Sequence, residues 1–354
     1  VTRVFAFLLA AAGGVACTWV VRGLALRWGI VNQPNPLVAQ HTRPVAYLGG
    51  LGLAGGVAIG VGTAAALWPE MDLLPGGIPA DALATGALLF LGIGLVDDLR
   101  AFSPLPKLLL QFAAAAIAAA AGVLGPRTGV AAADVAIAAF WMVVLVNAVN
   151  FTDVCDGLVS SIALVAFGIL GLAEPRLGAG PLLVAGAALG VLAFNRPPAS
   201  IFLGDAGSHL LGFLLAAGTL AGAAGRPPWP ALPWALLAGG VFLFELAFIT
   251  AERVRKGLPW WRGSPDHFAL RLQAAGVGRG GVDAGAALAA ALLAGSGAAL
   301  WRLEARMGIA LLAGLAVGLA VAWRVLARLP APVRRPASPA TAGAVAEAGP
   351  RAGA

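Results

Sequence analysis

The sequence predicts an all-α polytopic membrane protein of about eleven transmembrane helices, on three observations. Of its 354 residues, 60% are hydrophobic and 11% charged, with a mean hydropathy of +0.90, whereas soluble domains use about 25% charged residues to cover themselves. The apolar residues fall in continuous Ala, Leu, Val and Gly runs close to the roughly 20 residues that cross a bilayer, and lack the alternation of a transmembrane β-barrel. The basic residues gather on one side of those runs. Two separated cysteines, Cys17 and Cys155, give neither a disulfide framework nor a Cys-rich metal motif and read as small packing residues. The net charge of +7 reads as membrane topology, since no nucleic-acid motif accompanies it, and no nucleic-acid partner is expected.

The first run, 4–22, has a poor n-region, carries Trp19 near its end and lacks a convincing cleavage region, so a retained helix is expected there. The second, 48–68, contains "GGLGLAGG", whose small residues let membrane helices approach closely. Runs at 81–96, 107–124, 131–149, 158–173 and 180–195 follow, separated by polar residues and breakers. The last four are expected at 208–224, 232–250, 284–301 and 305–327. Residues 1–330 then form one integral-membrane domain, with 251–283 as its longest polar connection and 331–354, rich in Ala, Pro and Arg, as a disordered tail. Of the 23 basic residues, 17 adjoin connections after odd-numbered spans or lie in the tail, which predicts an outside N-terminus and a cytoplasmic C-terminus.

On that topology the rare carboxylates share a face. Asp97 and Asp98 follow span three, Asp153 and Asp156 follow span five, and Asp205 follows span seven. Carboxylates on adjacent helix ends can hold a hard divalent cation and, through it, phosphate oxygens. Asn150, Asp153 and Asp156 recur at intervals of three and can share one side of a helical turn. Gly204 and Gly207 flank Asp205 and Ser208 in a turn that can admit a ligand to backbone N–H groups, or simply cap a helix.

The motifs that carry these residues resemble the polyprenyl-phosphate N-acetylhexosamine-1-phosphate transferase family, glycosyltransferase family 4, which includes the MraY, WecA and TagO types. The resemblance runs from about His41 to Gly276, through "RPVAYLGGLGL", "VDDLRAFSPLPKLLLQ", "NAVNFTDVCDGLVSSIA" and "NRPPASIFLGDAGSHLLGF". It implies a bacterial inner-membrane enzyme with its active site at the cytoplasmic face. Such an enzyme transfers a sugar 1-phosphate from a UDP-sugar to polyprenyl phosphate and releases UMP, with Mg2+ as cofactor and Mn2+ as an alternative ion. By motif, Asp205 would contact the metal, and Asp97 and Asp98 would handle the acceptor phosphate. Asn150, Asp153 and Asp156 would shape the nucleotide and sugar pocket, Phe202 would lie near the nucleobase, and Lys107 would counter phosphate charge. A snorkelling interface anchor is the plainer reading of Lys107.

In the connection 251–283, Arg262 and Arg271 are candidate phosphate contacts, because guanidinium groups pair geometrically with phosphate oxygens. "SPDHFALRLQAAG" resembles a family loop in which histidines cluster, and retains only His267, a candidate phosphate or sugar contact. That departure places the chain closer to the WecA and TagO types than to MraY. Glu245, inside an apolar run, is expensive unless it faces a partner or a polar interior, and a structural hydrogen bond and a catalytic role both stand. Trp260 and Trp261 read as interface anchors, and His41 as a loop residue or a phosphate contact. A homodimer is compatible with this reading. The competing classes are a transporter or channel, which would want ionisable residues along a route across the bilayer, and a catalytically silent scaffold of the same fold.

Overall fold

The computed structural model describes residues 1–33, 43–74 and 76–332; His41 and the tail from 333 onward lie outside the described residues. Among the described residues the fold is all-α apart from one two-residue ladder. In chain order the helices are α1 (Thr2–Arg27), α2 (Gly49–Leu67), α3 (Ala80–Arg100), α4 (Pro104–Ala121), α5 (Ala131–Thr152), α6 (Leu158–Ala173) and α7 (Gly180–Asn195). They continue as α8 (Gly204–Ala223), α9 (Pro228–Ala238), α10 (Gly240–Arg255), α11 (Phe268–Ala274), α12 (Arg279–Leu300) and α13 (Ala305–Arg328).

Every expected run is helical, but the spans differ from eleven uniform crossings. Among the described residues eight helices are long and apolar enough to cross a membrane, or nine if α9 and α10 count as one span. These two meet at 72°, so the continuous helix expected over 232–250 is replaced by a broken one. The break falls at Gly239 and Gly240, the small-residue pair at which kinks concentrate. Helices α6 and α7 have 16 residues each, about 24 Å of helix against a hydrocarbon core of about 30 Å.

Helix α8 is the hub, buried along almost its whole length, and α13 is the opposite extreme, with only Gly308 and Leu326 buried. Close packing on α8 depends on glycine. A Cβ at Gly94 of α3 would collide with the carbonyl of Asp205, and one at Gly50 of α2 with the backbone of Gly207. In an apolar solvent such contacts, and not hydrophobic exclusion, hold helices together. The small ladder pairs β1 (Val31–Asn32) antiparallel with β2 (Val45–Ala46), and Ala46 bridges in parallel to Ile201. Backbone bonds from Phe202 N to Ala46 O, Gly49 N to Phe202 O and Gly50 N to Leu203 O then stitch "RPVAYLGG" to "IFLGD".

Candidate active site

Four helix ends converge on one ammonium group. Helix α3 carries Asp97 and Asp98 in its last turn, and only residues 101–103 separate it from α4, so the two neighbours run antiparallel and Lys107, in the first turn of α4, lies at the same end. The turn is fixed by Phe102 N donating to Asp97 Oδ1 at 2.5 Å, and α4 begins at Pro104, whose missing N–H costs nothing there. Lys107 Nζ lies 2.6 Å from Asp97 Oδ2 and 2.6 Å from Asp205 Oδ2. It also donates to Asn150 Oδ1 at 3.3 Å, while Asn150 Nδ2 donates to Asp205 Oδ1 at 2.7 Å and to Ser208 Oγ at 3.1 Å.

Asp98 faces the other way and caps α8. Its Oδ1 accepts from Asp205 N at 2.6 Å and its Oδ2 from Ala206 N at 3.0 Å, satisfying N–H groups that a helix start leaves without partners. Gly204, at φ +77°, makes room: a Cβ there would lie 2.8 Å from Asp98 Oδ2. Asp153 accepts from the backbone N–H of Gly204, and burial, reinforced by the charges of Asp205 and Asp98, holds its carboxyl well above the ordinary carboxylate range. Tyr47 is likewise pushed up, by burial and then by Asp98, Asp205 and Asp153, so its phenol stays a neutral donor. Its ring meets that of Phe202 edge-on at 6.5 Å.

Asp156 departs from the expected shared helical side, because α5 ends at Thr152 and Asp153 already caps it. The loop carries Asp156 to Ala199 N at 3.0 Å and Arg279 Nη1 at 3.3 Å. His267 is buried against buried Glu245, with Nδ1 2.6 Å from Oε1; Phe268 N also donates to Glu245 Oε2 at 3.3 Å. Glu245 thus has the partner that its depth requires. Arg262 is exposed, and its side chain has no hydrogen bond or ion pair among the described residues.

Arg271 is an anchor, contrary to the expected phosphate contact. Its guanidinium bonds Glu252 Oε2 at 2.5 Å, Asp266 Oδ1 at 2.8 Å and the backbone oxygens of Asp266, Leu326, Ala327 and Leu329. Those bonds occupy the donors that a phosphate would need. Burial would raise the Asp266 carboxyl, but Lys256 and Arg271 outweigh it and hold it below the ordinary range. Arg271→Ala leaves Glu252 with Arg255 and Asp266 with Lys256, but it strips buried backbone oxygens of their donor and frees the C-terminal end of α13, so thermal unfolding should show a loss of about 1–3 kcal/mol. Lys at this position should recover less than half of that, since one ammonium cannot span the same partners.

Beneath the ammonium lies a buried polar chain with only a faint sequence signal. Asn147 Nδ2 donates to Gln111 Oε1 at 2.7 Å, and Gln111 Nε2 meets His209 Nε2 at 2.8 Å. Polar side chains inside apolar helices are costly without partners, which is the signal that could have paired them.

Among the described residues no group of three or more His, Cys, Asp or Glu side chains forms a ready metal cage. The donor set nevertheless fits magnesium, which is usually held by one or two carboxylates with water and substrate phosphate completing its shell. Asp97 and Asp205 are two such carboxylates, and Lys107 shows that they converge on a cation.

An acidic cluster around one lysine, at the joined ends of apolar helices of membrane-crossing length, marks a multi-pass membrane protein with a polar site. Residues 81–223, which hold Asp97 to Asp205, match glycosyl transferase family 4. The chain is 32% identical to a putative glycosyltransferase of Streptomyces coelicolor, over 98% of this chain and 83% of the relative. A probable undecaprenyl-phosphate N-acetylglucosaminyl 1-phosphate transferase of Bacillus subtilis is 26% identical, over 77% and 78%. A phospho-N-acetylmuramoyl-pentapeptide-transferase of Streptococcus thermophilus is 35% identical, over 38% and 41%. The chain belongs to glycosyl transferase family 4.

Proposed function

We propose that this protein transfers an N-acetylhexosamine 1-phosphate from a UDP-sugar to a polyprenyl phosphate, releasing UMP. The observation that carries the reading is Lys107, held between Asp97 and Asp205 inside the matched stretch. The Bacillus subtilis relative, named for N-acetylglucosaminyl 1-phosphate transfer, supports the reaction type and the sugar class. The single loop histidine favours the WecA and TagO types. Residues 1–330 act as one unit in the bacterial inner membrane, with eleven spans, an outside N-terminus and the site at the cytoplasmic face.

In this reading Lys107 pairs with the donor diphosphate, and a lipid phosphate oxygen attacks the sugar-bearing phosphorus as the bond to UMP breaks. Asp97 orients the acceptor, which is already anionic near neutral pH, so positioning outweighs base strength. Asp98 acts through α8, holding Asp205 in place. Asp153, which accepts from the backbone N–H of Gly204 at the start of α8, borders the nucleotide and sugar pocket. Phe202 and Tyr47 offer a ring pair to the base, Asn150 orients Asp205, and Arg262 meets phosphate from the exposed loop. A magnesium ion at Asp205 and Asp97 would neutralise charge on the donor diphosphate.

Purified protein is expected to label a short polyprenyl phosphate from UDP-[3H]N-acetylglucosamine, to lose transfer with EDTA and to regain it with magnesium. Asp205→Ala should lower turnover by about a thousandfold. Transfer by that variant at more than about a tenth of the wild-type rate would contradict the reading.

A further inference from the structure

A second acidic pair lies beside the first, and one member has no partner. Asp283, in the second turn of α12, is 7% exposed, and its Oδ1 is buried without a hydrogen-bond partner. The side chain makes no hydrogen bond or ion pair among the described residues. It points at the loop after α5 and packs directly on Gly157, at φ +77°, where a Cβ would lie 2.8 Å from Asp283 Oδ2. Asp156 faces Asp283 across this point and is paired with Arg279, one helical turn before Asp283. The same short loop brings Asp153 to the Lys107 cluster, so the two acidic sites are three residues apart in the chain.

A buried carboxylate without a partner costs stability, and proteins keep such a group where a ligand completes it. Two carboxylates would repel phosphate, and an apolar chain would leave them unpaired. Hydroxyl and amide hydrogens suit them, and the Arg279 guanidinium can donate to the hydroxyl oxygens of the same ligand. We propose that Asp283, with Asp156 and Arg279, forms a hydroxyl-recognising subsite for the sugar portion of the donor, beside the cluster that takes its phosphates. This rests on the donor being a nucleotide sugar, and the hydroxyls belong either to the transferred sugar or to the ribose.

Calorimetric titration of the full-length protein with UDP-N-acetylglucosamine and with UMP tests the subsite. Asp283→Ala should weaken UDP-N-acetylglucosamine binding about tenfold, and Asp283→Asn, which keeps an acceptor oxygen, about threefold or less. The Tm of Asp283→Ala should equal or exceed that of wild type, because an unpartnered buried charge is gone. Weakening for the UDP-sugar alone assigns the subsite to the transferred sugar, and equal weakening for UMP assigns it to the ribose; either result supports the proposal. Unchanged affinity in Asp283→Ala, a fall in Tm that accounts for the weaker binding, or no binding by wild type overturns it. A wild type that binds the UDP-sugar but transfers nothing would sink the proposed reaction and leave the subsite to be judged by its own variants.

Discussion

Replacing Lys107 by methionine should lower turnover by about a hundred- to a thousandfold, the range seen when a preorganised charge at a reacting centre is removed. The ammonium touches Asp97 and Asp205 at 2.6 Å each, so the substitution leaves two carboxylates facing one another without a counter-charge. Protonation or a divalent cation must then relieve them. Magnesium should accordingly raise the Tm of Lys107→Met more than that of wild type, where the ammonium competes for the same oxygens. Arginine should not restore turnover, because a planar fork cannot take the place of a point charge seated between two carboxylates. Single-turnover assays and thermal unfolding, each with and without magnesium, check both halves. Turnover within about tenfold of wild type would remove Lys107 from the reaction.

Asp98→Ala should damage stability and activity together. Its two oxygens hold the N–H groups of Asp205 and Ala206 at 2.6 and 3.0 Å. Losing a cap costs about 0.5–2 kcal/mol, and hydrogen bonds to a charged group contribute more than neutral ones. The helix start that loosens is the one carrying Asp205, so turnover should fall about a hundredfold, since small misplacements at a reacting centre have effects of that size. Asp98→Asn retains one good acceptor and should lie between the two in both Tm and turnover. Wild-type stability with lost turnover would instead make Asp98 a direct participant.

The helices were legible because apolar runs and breakers are local signals, and the shared acidic face followed from counting charges on alternate connections. What failed was pairing across long separations. Asp98 as a cap for a helix that starts at Gly204, or Arg271 as a clamp on the end of α13, leaves no periodicity in the chain. Asp156 misled because spacing of three implies a shared side only while the helix lasts, and α5 stops at Thr152. The break between α9 and α10 was present in the sequence as Gly239-Gly240, but high hydropathy on both sides concealed it. Arg262 and His267 share one basic loop, yet one is exposed and the other buried on Glu245, a distinction composition does not hold.

The central claim is that the converging helix ends move a sugar together with its phosphate onto a lipid phosphate. UDP-N-acetylglucosamine labelled with 14C in the sugar and 32P at the sugar-bearing phosphorus tests it directly. The expected lipid product carries both labels in a one-to-one ratio, with unlabelled UMP released. A lipid carrying 14C without 32P, with labelled UDP released, would show ordinary glycosyl transfer and contradict the account.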